Sequence, residues 1–200
     1  MSAHIADQLL AAVIVGAISC AGTILVYNLA SDDMLPLPTW PAFNEVAPNI
    51  FFIRAATLYN LWIGKGVSIP FAIAMVTQAE FESAFHAEAI GDNGEAFGLY
   101  QHHWEPRGAL ILEKTGVDLR SERDFGRIVR AVWAELNSTM VHARDAIAAA
   151  KTAADASRAA CVLFEGAGAP NAADRRAAGA ERWATFFGAH PNFVAAHKAA

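Results

Sequence analysis

The sequence predicts a mainly α-helical domain with one small β-hairpin, preceded by a single N-terminal transmembrane helix. Three observations carry that prediction. Apolar residues fill most positions from 69 to 81, a density that reads as a buried helix and not a half-exposed one. The stretch Gly91-Asp92-Asn93-Gly94-Glu95-Ala96-Phe97-Gly98 is rich in turn residues and has short flanks, which suits a hairpin better than a broad sheet. Residues 9–27 contain no charged side chain.

Taken from the N-terminus, the uncharged run continues in apolar character to Ala30. That is about the ~20 residues a helix needs to cross a bilayer. Residues 1–30 therefore read as a membrane anchor that meets lipid through residues 9–30. A secretory signal is the rival, but residues 1–8 hold no Lys or Arg and the apolar run is long for a signal. A lipoprotein reading through Cys20 meets Ala17 where a larger aliphatic is usual. Small residues such as Ala12, Gly16, Ser19 and Gly22 dilute the anchor, as in helices that pack against other helices. No Lys or Arg precedes Arg54, so charge gives no orientation. Residues 31–48 read as a stiff linker: Asp32-Asp33 end the apolar run, and Pro36, Pro38, Pro41 and Pro48 forbid a continuous helix.

The domain proper is expected over 49–190, with helices at 49–63, 69–85, 105–115, 121–150, 154–165 and 172–187. Ser68 suits a helix cap and Pro70 a first turn, where a missing N–H does no harm. Ser121 with Asp124 partly matches a capping box, and Asn137-Ser138 is a candidate break within 121–150. Gly166, Gly168 and Pro170 mark the next break, Gly188 and Pro191 the last, and residues 191–200 read as a frayed tail. Cys20 falls in the anchor and Cys161 in the domain, so no disulfide forms within the domain. Packing alone must hold it, which is feasible at about 140 residues.

The chemistry concentrates after the apolar helix. Glu82 shares a face with Met75 and Ala79, at spacings of seven and three. A carboxyl at that lip is partly stripped of water, the environment a general acid needs near neutral pH. Glu80 stands in the same relation to Ile73 and Val76, so periodicity alone leaves the two glutamates undecided. Gln101 offers both donor and acceptor to sugar hydroxyls. Phe97, Tyr100 and Trp104 are candidate flat surfaces for sugar rings. The bland alternative is a core helix ending in a solvated stripe, then a loop with aromatics packed beneath it.

Other chemistries find no footing. His86, His102 and His103 match no zinc spacing, so no metal or cofactor is expected. There is no Gly-x-Ser-x-Gly elbow, phosphate-binding loop or dinucleotide fingerprint. A net charge of −5 and a pI near 5.8 argue against a nucleic-acid partner.

Helix-Glu82-Ser83-x-Phe85 followed by Gly91-Asp92-x-Gly94-x-Ala96-x-Gly98-Leu99-x-Gln101 resembles the goose-type lysozyme and lytic transglycosylase superfamily, most closely its phage lysozyme branch. Trp104-Glu105-Pro106-Arg107, Trp133-Ala134-Glu135-Leu136-Asn137, and Phe164-Glu165-Gly166 with Arg175-Arg176 resemble later segments, so the likeness covers roughly 49–188. It implies a lysozyme-like fold and cleavage of the β-1,4 bond between N-acetylmuramic acid and N-acetylglucosamine in peptidoglycan, for penetration of a host wall or for host lysis. It implies Glu82 as catalytic acid, with Ser83, Phe97, Gly98, Leu99, Tyr100 and Gln101 lining the cleft. Tyr100 departs from the family's usual Met, and Phe164 lacks the hydroxyl of the Tyr in the family's Tyr-Asn-x-Gly segment. Glu165 is either a second carboxylate, in contact with substrate, or merely a helix end before a Gly cap.

One acid serves two chemistries. A hydrolase needs a second carboxylate to activate water, for which Asp92 is the candidate, although Asp-Asn-Gly also uses it as a turn residue. A lytic transglycosylase closes the sugar's own 6-hydroxyl into an anhydro ring and needs none. A lysozyme-shaped peptidoglycan endopeptidase and a non-catalytic wall-binding protein are further alternatives. Glycan strands are the expected partner, with virion or membrane proteins as others. The domain is expected in the periplasm, outside the cell, or on a phage virion, because the wall lies there.

Overall fold

The computed structural model describes residues 49–166 and 171–197. The anchor expected at 1–30, the linker at 31–48, the break at Gly168 and Pro170 and the last residues of the expected tail lie outside them. Among the described residues no helix is long and apolar enough to cross a membrane.

Those residues form eight α-helices and one small antiparallel sheet. Helix α1 (Ile50–Ile63) starts where the Asn49 side chain accepts from the Phe51 N–H at 3.0 Å. Helix α2 (Ile69–Ser83) starts at Ser68, whose hydroxyl accepts from the Phe71 N–H, with Pro70 in its first turn. Every residue of α2 from Phe71 to Ala79 is buried. It runs against α1, α6 (Ala153–Leu163) and α7 (Ala172–Ala189), which close around it. Alanines at 156, 160, 177 and 180 are buried where α6 meets α7, so the two backbones approach closely. Two polar residues inside α2 are satisfied: Thr77 donates to the Ile73 carbonyl, and Gln78 Nε2 donates to the Ser157 carbonyl and hydroxyl.

The expected hairpin has a third strand. β1 (Ile90–Gly91), β2 (Ala96–Phe97) and β3 (His102–His103) pair antiparallel in that order, with Ile90 opposite Phe97 and Phe97 opposite His102. The helix expected from 105 begins later, as α3 (Ala109–Thr115), after a wide turn over Trp104–Gly108. In that turn a Cβ on Gly108 would lie 2.9 Å from the Trp104 ring. Asp124, not Ser121, caps α4 (Phe125–Leu136), accepting from the Arg127 N–H at 2.7 Å. Asp118 and Glu122 hold the preceding residues in turns through the Arg120, Arg123 and Asp124 N–H groups, so α4 starts late. The chain breaks after Leu136, as Asn137-Ser138 predicts, and resumes as α5 (Val141–Ala149). The tail expected from 191 instead opens with α8 (Pro191–Ala196). Asn60 of α1 donates to the Val194 carbonyl at 2.7 Å, and Phe193 meets Phe186 edge-on, so this helix is held and not frayed.

Candidate active site

Helix α2 ends abruptly. Ala84 (φ 49°) and Phe85 (φ 64°) are both left-handed, a strained pair for residues with side chains. The turn closes on itself: the Ala84 and Phe85 N–H groups return to the Glu80 and Ala79 carbonyls. It drives Phe85 into the core against Phe51 and Trp183. The lip of the helix, carrying Glu82 and Ser83, is left at the edge of the sheet. The Ser83 hydroxyl lies 3.1 Å from the Ala79 carbonyl and 3.0 Å from that of Leu99, fastening the lip to the Gly98-Leu99 turn.

The two glutamates face different neighbours. Glu80 turns toward α7, where Trp183 Nε1 donates to it at 2.7 Å and Arg182 approaches to 3.7 Å. Burial raises its pKa against those two opposing contacts. Glu82 also meets α7, two turns earlier along that helix, at Arg176. Its Oε1 is 2.5 Å from Arg176 Nη2, and its side chain is 19% exposed, close to the 17% of Glu80. Arg176 also donates to the Gln78 Oε1.

The turn after β2 is built from within. Gly98 has φ +77°, and a Cβ there would meet the Leu119 carbonyl at 3.4 Å. Gln101 Nε2 donates to the Ala89 and Gly98 carbonyls. Its Oε1 lies over Gly91, only 2.2 Å from where a Cβ would stand. The amide expected to meet sugar hydroxyls therefore holds the turn. Leu99 and Tyr100 are buried, so their side chains support the turn from beneath and present no face to a sugar. The Tyr100 hydroxyl accepts from Trp62 Nε1 at 2.8 Å, and burial raises its pKa. Phe97 and Trp104 remain partly exposed, the latter under the Arg120 guanidinium at 3.5 Å. Asp92, exposed on the short helical turn Asp92–Gly94, lies 2.7 Å from His103 Nε2. Replacing Tyr100 with Phe is expected to destabilise the domain by about 1–3 kcal/mol, because the buried Trp62 N–H loses its acceptor. Activity per folded molecule stays unchanged in that variant; urea unfolding and cell-wall clearing measure the two effects.

Beneath the sheet lies a charged cluster that the sequence reading did not assemble. Arg107 grips Glu135 with two bonds, Nε to Oε1 at 2.7 Å and Nη2 to Oε2 at 3.0 Å. Its Nη1 donates to the Phe164 carbonyl, and its guanidinium lies 4.7 Å from the Phe164 ring centre. His102 Nε2 is 3.0 Å from the same Glu135 carboxylate. Burial lowers the His102 pKa despite the Glu135 bond, so the ring is neutral and its N–H donates. Burial alone would raise the Glu135 pKa, but His102 and then Arg107 outweigh it and bring it to about 2. A signal for these residues did exist. Glu135 follows Ile128, Ala131 and Val132 at core spacings, and Arg176 precedes Ala180 and Trp183 likewise, so each is a charge on an apolar helix face.

The Glu135 shift fixes a pH dependence. Its carboxyl is depressed from 4.5 to about 2, so its stabilisation is full above 4.5 and is lost as pH falls through about 2. Glu80 has a raised value, so its contribution is present below 4.5 and is lost as pH rises through its folded-state value. A comparison with Glu135→Gln isolates the first effect. The wild-type advantage in urea unfolding is expected at roughly 3 kcal/mol near pH 6 and to vanish near pH 2.

Among the described residues, no group of three or more His, Cys, Asp or Glu is arranged to hold a metal ion. A partly exposed carboxylate thus stands near the end of a buried helix, and its neighbour Ser83 ties that helix end to the turn of a small antiparallel sheet. The chain belongs to the phage tail lysozyme family, whose model matches residues 54–187. No curated protein and no solved structure matches it. It is therefore an enzyme of the lysozyme and lytic transglycosylase type, and its substrate is peptidoglycan.

Proposed function

We propose that the chain cleaves the β-1,4 bond between N-acetylmuramic acid and N-acetylglucosamine, with Glu82 as the general acid. The supporting observation is the contrast between the glutamates. Both are partly exposed and both meet α7, Glu80 through Trp183 and Arg182 and Glu82 through Arg176, but Glu82 stands beside Ser83, whose hydroxyl fastens this end of the helix to the Leu99 carbonyl at the sheet's turn. Glu82 protonates the glycosidic oxygen while the C1–O bond breaks. In hydrolysis Asp92 is the candidate base for the attacking water. Lytic transglycosylation is the second reading, in which Glu82 later accepts the proton of the sugar 6-hydroxyl. The pairing of Asp92 with His103 favours it, because that carboxylate already has a partner. The bounds of the domain, its tether in lipid through residues 9–30 and its place outside the cytoplasmic membrane or on a virion belong to this proposal. They are supported by the uncharged N-terminal run and by where the wall lies.

The test is end-group chemistry on purified sacculi. Borohydride-reducible N-acetylmuramic ends identify the hydrolase, and 1,6-anhydro ends identify the transglycosylase. New amino groups without new glycan ends would mean a peptide-cleaving enzyme and overturn the proposal.

A further inference from the structure

Phe81 is the most exposed Phe, Tyr or Trp side chain among the described residues, at 37%. Two of the flat surfaces expected for sugars are less open: Tyr100 is buried, and Trp104 lies under the Arg120 guanidinium. A ring left in water forgoes the stabilisation of burial. Helix α2 nevertheless places this one immediately before Glu82.

The ring is pinned in place. It lies against α7 at Gly179, where a Cβ would stand 2.9 Å from Phe81 Cε2 and 3.2 Å from Thr77 Cγ2. Glycine therefore lets the ring come down onto the helix backbone. Charged groups border it. The Arg176 guanidinium lies 5.5 Å from the ring centre and pairs with Glu82 Oε1 at 2.5 Å, so one cation adjoins both the ring and the acid. Arg182 also reaches Gly179, its Nη2 3.6 Å from the same Cβ position. Arg176 is itself fixed: it donates to Gln78 Oε1, and its carbonyl accepts from the Ser157 hydroxyl. The ring thus keeps a set place relative to the Glu82 carboxylate.

An exposed ring bordered by carboxylate and guanidinium groups matches the two-sided chemistry of a sugar. The C–H bonds on one face of a pyranose form a weakly positive apolar surface, which suits the negative face of an aromatic ring. Its hydroxyl and acetamido groups exchange hydrogen bonds with the charged border. A lipid surface calls instead for a broad apolar face.

We propose that Phe81 is a substrate-binding residue, a platform on which one sugar of the glycan strand stacks beside the bond that Glu82 cleaves. This rests on the reading of Glu82 as the general acid. The stacked sugar is held alike before and during cleavage, so the ring contributes to affinity and not to the chemical step.

The test is Phe81→Leu in the full chain, assayed on purified sacculi beside Phe81→Tyr and Glu82→Gln. Leucine still fills the space over Gly179 but has no flat face. The expected result is a rise in KM of about tenfold with kcat little changed, the signature of lost uniform binding. Phe81→Tyr restores a flat face and is expected to recover most of that loss. A purely structural role would lower the urea midpoint of Phe81→Leu and leave its KM unmoved. Wild-type KM in folded Phe81→Leu would overturn the proposal while leaving Glu82 intact as the acid. Full activity in Glu82→Gln would overturn the assignment of the acid, and the KM of Phe81→Leu would still decide whether the ring binds glycan. Should Phe81→Leu fail to fold, NMR of the unaltered chain with the trisaccharide of N-acetylglucosamine decides. Phe81 ring signals that move with the trisaccharide support the proposal, and signals that stay still at saturation overturn it.

Discussion

Glu82→Gln is expected to leave the domain folded and to lower its rate on purified sacculi by roughly 10²–10⁴-fold, the contribution of a positioned general acid. The fold survives because the amide oxygen still accepts from Arg176, turning an ion pair into a neutral hydrogen bond. The fastening of Ser83 to the Leu99 carbonyl does not involve residue 82, so the helix lip stays in place. The loss of rate is read as kcat per folded molecule, and the urea midpoint falls as well, because the buried Arg176 keeps only a neutral acceptor at residue 82. Glu80→Gln is the matched control. Its side chain still accepts from Trp183 Nε1, and it lies further from the helix end that Ser83 fastens to the sheet, so its rate stays near wild type. Equal losses in the two variants would mean that the position of Glu82 beside the fastened helix end is irrelevant to the chemistry.

Trp183→Ala is expected to have the largest effect on stability, about 3–5 kcal/mol. Trp183 is fully buried, and its ring lies 5.3–6.1 Å from those of Phe51, Phe52, Phe85, Phe186 and Phe187. Removing the indole opens a cavity where α1, α2 and α7 meet. It also strips Glu80 of its Trp183 donor in a buried setting, which adds the cost of a poorly compensated polar group. Against a total of ~5–15 kcal/mol for a domain of this kind, the loss approaches global unfolding. The urea midpoint measures it. A shift worth less than about 1 kcal/mol would show that the aromatic cluster is not what joins these helices.

The periodic features were the legible ones. Ser68, Pro70 and the dense apolar run predicted α2 closely, because cap, first turn and burial pattern agree over consecutive residues. Asn137-Ser138 likewise marked a true break. The three-stranded sheet was only half visible: β3 is two adjacent histidines, and its pairing depends on the turn that Gln101 holds through backbone carbonyls. Tyr100 shows the same limit. Its ring and hydroxyl suit a sugar as well as they suit Trp62, and only the tertiary position of α1 chooses the latter. Periodicity also left Glu80 and Glu82 undecided. What separates them is Trp183 and Arg176, two residues about a hundred positions away on α7. Glu165 read either as a second carboxylate or as a helix end before glycine; its Oε1 is sealed from solvent, a placement no local rule predicts.

The most direct test of Glu82 as the acid of a glycan-cleaving enzyme is mass spectrometry of the material released from purified sacculi. Wild-type chain and folded Glu82→Gln are compared at equal concentration. The predicted result is disaccharide-peptide fragments with new N-acetylmuramic ends from the wild type and none above background from the variant. The same fragments released by Glu82→Gln at the wild-type rate would contradict the assignment and move the search for the acid to another carboxyl.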